Sequence, residues 1–168
     1  MKVIEQKGMY QRFPRSGKDT RVTHYCPGCG HGIVNKLIAE CCAEMAKDAE
    51  GETYLADDCE LLIVAFGIAS RVARTTAEAC RKLGLKVGCF RPISLNPFPR
   101  EQLAAAAKGR RILTIELDAG QFSDDVRLQL AKAGLGAESA DVTMLHRMGG
   151  QVVTVDDAVA AVRRILGK

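Results

Sequence analysis

Residues 60–67 read Glu-Leu-Leu-Ile-Val-Ala-Phe-Gly, and they indicate the fold class. Its apolar residues follow one another without alternation and end at a glycine, which is typical of a strand buried on both faces of a parallel sheet. Residues 70–83 then place apolar side chains at helical spacing on one face, and Gly84 closes the segment, which predicts a helix. A buried strand followed by an amphipathic helix is the repeating unit of an α/β fold.

The same alternation continues to the end of the chain. Further strands are predicted at 86–93, 110–117 and 141–147, and further helices at 100–108, at 124–133 and after Thr154. Thr154 is a suitable N-cap for the last helix, and Asp156 and Asp157 lie in its first turn. We therefore expect an α/β fold with a mostly parallel sheet and helices on both faces.

The composition excludes several classes of protein. The 168 residues are 47% apolar and 26% charged, a content too apolar for a disordered chain. The longest nearly unbroken apolar stretch, residues 61–69, is far shorter than the roughly 20 residues that cross a membrane as a helix. Residues 1–15 lack the apolar core of a secretory signal. We therefore expect a cytoplasmic protein with no membrane partner.

The net charge of +4 comes from the N-terminus. Residues 1–21 hold six basic and two acidic side chains, and the rest of the chain is balanced. This arm has no dense run of lysine and arginine and no recognition-helix or RNA-binding signature, so we predict no nucleic-acid partner. We interpret it as a solvated arm or a contact with another subunit.

Seven cysteines cannot all pair within one chain, and clustered cysteines in a cytoplasmic protein indicate metal or redox chemistry. Cys26 and Cys29 form a Cys-x-x-Cys pair in a glycine-rich turn, whereas Cys41 and Cys42 lie in a helical pattern. The remaining cysteines stand singly among apolar neighbours, and we interpret them as small buried hydrophobic residues: Cys59, Cys80 and Cys89.

Four interpretations of the Cys-x-x-Cys turn are open. The two thiolates would supply half of the ligands of an iron–sulfur cluster, or would bind zinc together with His24 or His31. A redox dithiol is the third interpretation, because Cys29 lies just before a helix N-terminus, a position that lowers the pKa of a thiol. The fourth is a glycine-rich turn whose thiols have neither role.

Polar residues near the ends of the predicted strands are weaker candidates. Arg91 lies at the carboxyl end of a strand, where open α/β sheets bind ligands, and would meet a phosphate or carboxylate there. An ion pair with a neighbouring element is the preferred interpretation of this arginine. Asp57, Asp58 and Glu60 form an acidic patch that we interpret as a solvated strand entry rather than a cation site.

The later strand ends offer four more polar side chains. Glu116, Gln121 and Asp125 flank the loop after the strand at 110–117. We interpret Asp125 as a helix cap or a contact with a partner subunit. His146 is interpreted as a hydrogen-bonded structural histidine rather than a ligand.

Residues 24–32 read His-Tyr-Cys-Pro-Gly-Cys-Gly-His-Gly and are followed directly by a helical pattern. Residues 20–46 thereby resemble the N-terminal region of the β subunit of the 2-oxoacid:ferredoxin oxidoreductases, particularly of the 2-ketoisovalerate type. In that family the two cysteines ligate a [4Fe–4S] cluster near thiamine diphosphate. The resemblance therefore implies that Cys26 and Cys29 are metal ligands.

The rest of the chain resembles a different subunit of the same enzymes. Residues 51–67, 86–99 and 115–127 are similar to the C-terminal domain of the α subunit, which has the fold of the transketolase C-terminal domain. We therefore expect two parts: residues 1–50, with the arm, turn and helix of a β subunit, and residues 51–168, with the α/β domain of an α subunit. Segments that hold thiamine diphosphate and Mg²⁺ in the family, such as a Gly-Asp-Gly-Asp motif, are missing from this sequence.

The resemblance implies a subunit or fragment of an enzyme that oxidatively decarboxylates a 2-oxoacid, reduces ferredoxin and forms an acyl-coenzyme A. The α-like domain would be scaffold and subunit interface, and the partners would be the other subunits, with ferredoxin and coenzyme A reached through the complex. Thiamine diphosphate and Mg²⁺ would belong to the whole complex, the [4Fe–4S] cluster would be shared with a partner, and the isolated chain would be inactive. The alternative is a non-catalytic interaction or metal-binding remnant without the thiamine diphosphate site.

Overall fold

The computed structural model describes residues 30–168, and the chain divides into two compact units after Asp48. The described part of the first unit consists of helix α1 (His31–Met45) and a 3-10 turn (Ala46–Asp48). Helix α1 buries none of its residues within its own unit, and apolar side chains such as Ile33 and Leu37 are more than half exposed. In residues 30–168 no helix is both long enough and apolar enough to span a membrane.

The second unit, Ala49–Lys168, is an α/β domain. Its strands are β1 (Gly51–Tyr54), β2 (Leu61–Ala65), β3 (Val87–Pro92), β4 (Arg111–Glu116) and β5 (Val142–His146). Its helices are α2 (Gly67–Lys82), α3 (Arg100–Ala107), α4 (Gln121–Lys132), α5 (Gly136–Ala140) and α6 (Val155–Leu166).

The five strands form one sheet in the order β1-β3-β2-β4-β5. Strands β2 to β5 run parallel, whereas β1 pairs antiparallel with β3 at the edge, with Glu52 opposite Arg91. The four predicted strands are confirmed to within two residues. The sequence pattern missed β1 and the short helix α5, and it placed the start of α4 three residues too late.

Helices cover both faces of the sheet because the central strand is apolar on both sides. All five residues of β2 are buried: Leu61, Ile63 and Ala65 belong to one core, and Leu62 and Val64 belong to the other. Helices α2 and α6 pack on the first core, and α3 and α4 pack on the second. Burial of this kind is the main stabilising contribution to such a domain.

The last helix begins as the sequence predicts. Thr154 accepts a hydrogen bond from the backbone N–H of Asp157 at 3.1 Å, and the Asp157 carboxylate accepts one from the backbone N–H of Thr154 at 3.3 Å. This reciprocal pair satisfies two backbone donors that the helix itself leaves unpaired. The predicted N-cap is confirmed.

Candidate functional site

The strand order creates a point where the chain changes direction within the sheet. From β2 the chain moves to β3 on one side, and from β3 it returns across β2 to β4 on the other. Helix α2 follows β2 on one face and α4 follows β4 on the opposite face. Open α/β sheets bind ligands outside the carboxyl ends of the strands at such a point. The candidate site, called the switch crevice below, is formed by Phe66, Gly67, residues 116–120 and Phe122.

Two aromatic rings meet in the switch crevice. Phe66 is the N-cap residue of α2, and Phe122 lies in the first turn of α4. Their ring centroids are 4.7 Å apart with an interplanar angle of 51°, a favourable tilted arrangement. The first turns of the two helices are therefore joined by an apolar contact. In nucleotide-binding folds the corresponding position holds a glycine-rich loop that binds phosphate.

The buried carboxyl group of Glu116 occupies the N-terminal end of α4. Its Oε2 accepts hydrogen bonds from the backbone N–H of Phe122 at 3.0 Å and of Ser123 at 3.2 Å, and its Oε1 accepts one from the Ser123 hydroxyl. The Ser123 hydroxyl also contacts that of Thr114. A helix N-terminus attracts negative charge because its first N–H groups have no partner within the helix. Here the last residue of β4 takes the place that an external anion would occupy.

Asp118 completes this internal cap. Its Oδ1 accepts hydrogen bonds from the backbone N–H groups of Gly120 and Gln121, each at 3.0 Å. Burial raises the pKa of Glu116. Burial acts to raise the pKa of Asp118 as well, but the hydrogen bond with Glu116 and those from the backbone hold it below its usual range. Of the two carboxyl groups, Glu116 therefore holds a proton more strongly and Asp118 carries the charge.

These contacts correct one interpretation of the sequence. Because α4 begins at Gln121, Asp125 lies in its second turn, where its exposed side chain does not cap the helix. The other interpretation, a contact of Asp125 with a partner subunit, stays a prediction. Gln121 accepts a hydrogen bond from the backbone N–H of Ala119 at 2.9 Å and so helps to order the loop. The capping carboxyl groups come from the end of β4 and the loop after it, and Asp118 was not among the sequence candidates. The sequence identified Glu116 only as a residue that flanks the loop, and it gave no signal for Asp118.

His146 also differs from the interpretation. It lies opposite Glu116 in the register of β4 and β5. Its Nδ1 is buried and has no hydrogen-bond partner within residues 30–168, so the expectation of a hydrogen-bonded histidine is wrong for this atom. Glu116, its neighbour in the register, uses both of its carboxyl oxygens in hydrogen bonds with α4.

The other strand-end candidates form ion pairs. Arg91 donates a hydrogen bond from Nη1 to Oε1 of Glu52 at 3.1 Å, which confirms the preferred interpretation of this arginine. In the acidic patch, Asp58 pairs with Arg81 at 2.7 Å, Glu60 pairs with Lys168 at 3.2 Å, and Asp57 is exposed. Nowhere in the described chain do three or more His, Cys, Asp or Glu side chains converge as a metal site would require.

The cysteines divide according to burial. Cys26 and Cys29, and His24 beside them, lie outside the described residues, so their role as metal ligands stays a prediction. Cys41 and Cys42 are exposed on α1. The three singly placed cysteines are buried as predicted, and burial raises the pKa of each thiol: Cys59, Cys80 and Cys89.

Cys89 is the most strongly shifted of these thiols. Burial raises its pKa to about 12, and its Sγ donates a hydrogen bond to the carbonyl oxygen of Ala73 at 3.2 Å. A metal ligand must be a thiolate, so this thiol is a packing residue rather than a ligand.

Comparison with known proteins assigns the α/β domain. The sequence model of the family described as pyruvate:ferredoxin oxidoreductase core domain II matches residues 59–158. Ketoisovalerate oxidoreductase subunit VorB of Methanothermobacter thermautotrophicus is 38% identical over 117 residues, which cover 69% of this chain and 31% of that subunit. The 2-oxoglutarate synthase subunit KorA of the same organism is 25% identical over 123 residues, or 73% of this chain and 31% of that subunit. The chain spans about a third of the length of these relatives.

Solved structures share the fold. A 2-oxoglutarate:ferredoxin oxidoreductase from Magnetococcus marinus matches with a TM-score of 0.64 at 18% identity, over 85% of this chain and 24% of that one. A split-gene transketolase, in an inactive β4 tetramer, matches with a TM-score of 0.55 at 22% identity, over 70% of this chain and 41% of that one. The predicted transketolase-like α/β fold is confirmed.

Proposed function

The chain belongs to the 2-oxoacid:ferredoxin oxidoreductase family, and on that premise we propose that its α/β domain is a scaffold and subunit interface within such an enzyme. The observation that carries the proposal is the match of core domain II to residues 59–158, which covers most of the unit Ala49–Lys168. The curated relatives are themselves named as subunits. The partners proposed for this chain are therefore the other subunits of the complex.

In the proposed complex a 2-oxoacid is oxidatively decarboxylated, ferredoxin is reduced and the acyl group passes to coenzyme A. Thiamine diphosphate supplies the electron sink for this chemistry when it is bound. The described residues do not fit that cofactor and its Mg²⁺. The two carboxyl groups at the switch crevice, Glu116 and Asp118, are engaged by the N-terminus of α4, and no third donor converges with them. We assign the cofactor to partner subunits and no catalytic step to this domain.

The donor chemistry of the cysteines supports a shared cluster site. We propose that Cys26 and Cys29 provide two ligands of a [4Fe–4S] cluster and that a partner subunit provides the others. Within the described chain the buried thiols have raised pKa values, which disfavour the thiolate form that a cluster needs. Cys41 and Cys42 lie ten and eleven residues after the start of α1, about 15 Å or more along the helix at a rise of about 1.5 Å per residue.

Exposed apolar side chains on α1 agree with a role in assembly. Five of them are at least half exposed within their own unit, and the first four recur at spacings of three and four residues: Ile33, Val34, Leu37, Ile38 and Met45. A contiguous apolar stripe on a helix is typical of a protein–protein contact. We propose that another subunit of the same complex covers it.

The test is co-expression of this chain with α-type and β-type subunits of the family under anaerobic conditions. We expect the chain to co-purify with them and to carry iron and sulfide, and we expect Cys26→Ser and Cys29→Ser to lose both. Cys41→Ser is the matched control, because it removes an exposed thiol from the same unit without touching the turn. Reduction of ferredoxin by a 2-oxoacid should require the complex, and the lone chain should not bind thiamine diphosphate with Mg²⁺ in a calorimetric titration.

Three outcomes would contradict parts of this proposal. Full iron and sulfide in the lone chain would show that it completes the cluster by itself. Micromolar binding of thiamine diphosphate to the lone chain would show that the cofactor assignment is wrong. Failure to associate with any subunit, together with absence of metal under all conditions, would favour the non-catalytic remnant.

A further inference from the structure

A pocket of about 260 Å³ opens at the edge of the sheet formed by β1 and β3, on the face that carries α2. Three arginines line it: Arg71 and Arg74 from α2, and Arg91 from β3. Glu52 on β1 is the carboxylate in its lining. The pocket, called the arginine pocket below, lies on the face of the sheet opposite to Glu116.

The positive charge in the arginine pocket is only partly compensated. Arg91 pairs with Glu52 at 3.1 Å, and both side chains remain about half exposed, at 46% and 52%. Arg74 lies 3.8 Å from Glu78. Arg71 forms no ion pair with any residue of the described chain. The guanidinium charge of Arg71 is therefore uncompensated. The ion pair between Arg91 and Glu52 is exposed, so separating its two partners costs little free energy.

Arg74 is held in position by its neighbours. The Arg74 guanidinium lies over the ring of Tyr54, 4.1 Å from its centroid, which is a cation–π contact. The Tyr54 hydroxyl donates a hydrogen bond to Oε1 of Glu78 at 3.0 Å, and Glu78 in turn faces Arg74. This triad orders Arg74 before any ligand arrives, which lowers the entropy lost on binding.

Small residues leave the space in which a ligand fits. The lining includes Ala65 at the end of β2 and Ala73 on α2, with Cys89 on β3 beside them. The thiol of Cys89 donates its hydrogen bond to the carbonyl oxygen of Ala73. The volume lies below the roughly 300–1,000 Å³ of pockets for drug-sized ligands, so the occupant must be small.

We propose that the arginine pocket binds the phosphate group of a small phosphate monoester. Guanidinium groups from two elements, α2 and β3, present several donors to one space, and a dianionic phosphate offers more acceptor oxygens and more charge than a single carboxylate. The uncompensated charge of Arg71 supplies the electrostatic attraction. All of its lining residues belong to the unit Ala49–Lys168, and the proposal does not rest on the proposed function.

The test uses the ¹⁵N-labelled full chain at fixed pH and ionic strength, titrated with inorganic phosphate, glycerol 3-phosphate and succinate in separate series. We expect saturable amide shifts confined to residues 52–54, 70–74 and 89–91, with both phosphates binding more tightly than succinate. Arg71→Gln should weaken phosphate binding about fivefold to tenfold, and Arg71→Lys should weaken it less. Glu52→Gln should tighten binding, because it frees Arg91 from its partner.

Arg164→Gln is the matched control, since Arg164 is an exposed arginine on α6 that does not line the pocket. It should leave phosphate affinity unchanged. Equal losses in Arg71→Gln and Arg164→Gln would show nonspecific charge attraction and overturn the proposal. Tighter binding of succinate than of either phosphate would replace the phosphate with a dicarboxylate. Absence of saturable shifts with either phosphate up to about 20 mM would show that the pocket is not a phosphate site.

Discussion

The guanidinium of Arg81 forms a two-pronged ion pair with Asp58, in which Nη2 lies 2.7 Å from Oδ1 and Nη1 lies 2.9 Å from Oδ2. The same side chain donates hydrogen bonds to the carbonyl oxygens of Leu55 at 2.8 Å and of Val87 at 2.9 Å. Arg81 is in the last turn of α2. One side chain thus joins the end of α2 to the loop after β1 and to the start of β3.

Replacing Arg81 with lysine should destabilise the domain. A lysine ammonium cannot reproduce the planar fork that binds two carboxylate oxygens and two carbonyl groups at once. We expect Arg81→Lys to lower the free energy of unfolding by about 1–3 kcal/mol, measured by urea denaturation with circular dichroism. Arg164→Lys, at an exposed position on α6, should have almost no effect. Equal stability of the two variants would show that the Arg81 contacts contribute little.

Glu116 should be needed as a hydrogen-bond acceptor rather than as a charge. Glu116→Ala leaves the N–H groups of Phe122 and Ser123 without their partner in a buried position, and we expect a loss of about 1–3 kcal/mol in the free energy of unfolding. Glu116→Gln keeps an acceptor oxygen of nearly the same shape and should lose much less. If both variants are equally destabilised, the ionised form of Glu116 is the one that stabilises the cap.

The same pair of proteins should show a defined pH dependence. Burial raises the pKa of Glu116 in the folded protein, so its stabilising contribution is fully present below the unfolded pKa. That contribution is lost as the pH rises through the raised folded pKa. The free energy of unfolding of the wild type minus that of Glu116→Gln should therefore fall as the pH is increased from about 4 to about 8. A difference that rises over this range would mean that the folded pKa of Glu116 is lowered.

Gly88 should tolerate no side chain. A Cβ at this position would lie 2.5 Å from the carbonyl oxygen of Leu55 and 2.8 Å from the Cα of Ala56, both backbone atoms. Leu55 already has a positive φ of 52°, so the loop has little freedom to move away. We expect Gly88→Ala to destabilise the domain by about 1–3 kcal/mol.

Gly136→Ala provides the control for that substitution. A Cβ at Gly136 meets no atom within 4 Å, and this residue begins the short helix α5. The change should be neutral or slightly stabilising, because alanine loses less conformational entropy on folding. Thermal unfolding of both variants compares the two positions directly, and a similar melting temperature for both would rule out the backbone clash at Gly88.

The thiols should separate into two reactivity classes. Cys41 and Cys42 are exposed, whereas Cys59, Cys80 and Cys89 are buried and have raised pKa values. Brief treatment of the native chain with iodoacetamide at neutral pH should modify the first two and spare the last three, as read by peptide mass spectrometry. In denaturant all five should react. Modification of Cys89 in the native protein as fast as of Cys41 would show that the sheet opens readily at this edge.

The helices and strands that the sequence patterns predicted are determined by residues close to one another along the chain. The strand β2 is a run of apolar residues, and the start of α6 follows from Thr154 and Asp157, three residues apart. The elements that the sequence patterns missed depend on contacts with distant residues instead. Strand β1 has only four residues, two of them exposed, and it exists because Gly51–Tyr54 pairs with β3. Helix α4 begins early because Glu116 and Asp118, both outside the helix, accept hydrogen bonds from its first N–H groups.

The α/β class, the resemblance to this enzyme family and the burial of Cys59, Cys80 and Cys89 could be predicted from the amino-acid sequence, because hydrophobic periodicity and composition indicate which side chains are buried. Which groups meet across the chain depends on the folded structure. Arg71 and Arg91 line one pocket although they come from different elements, and Glu116 loses contact with solvent under the start of α4. Such contacts depend on how the strands are ordered and how the helices pack on them, and a one-dimensional pattern does not encode that geometry.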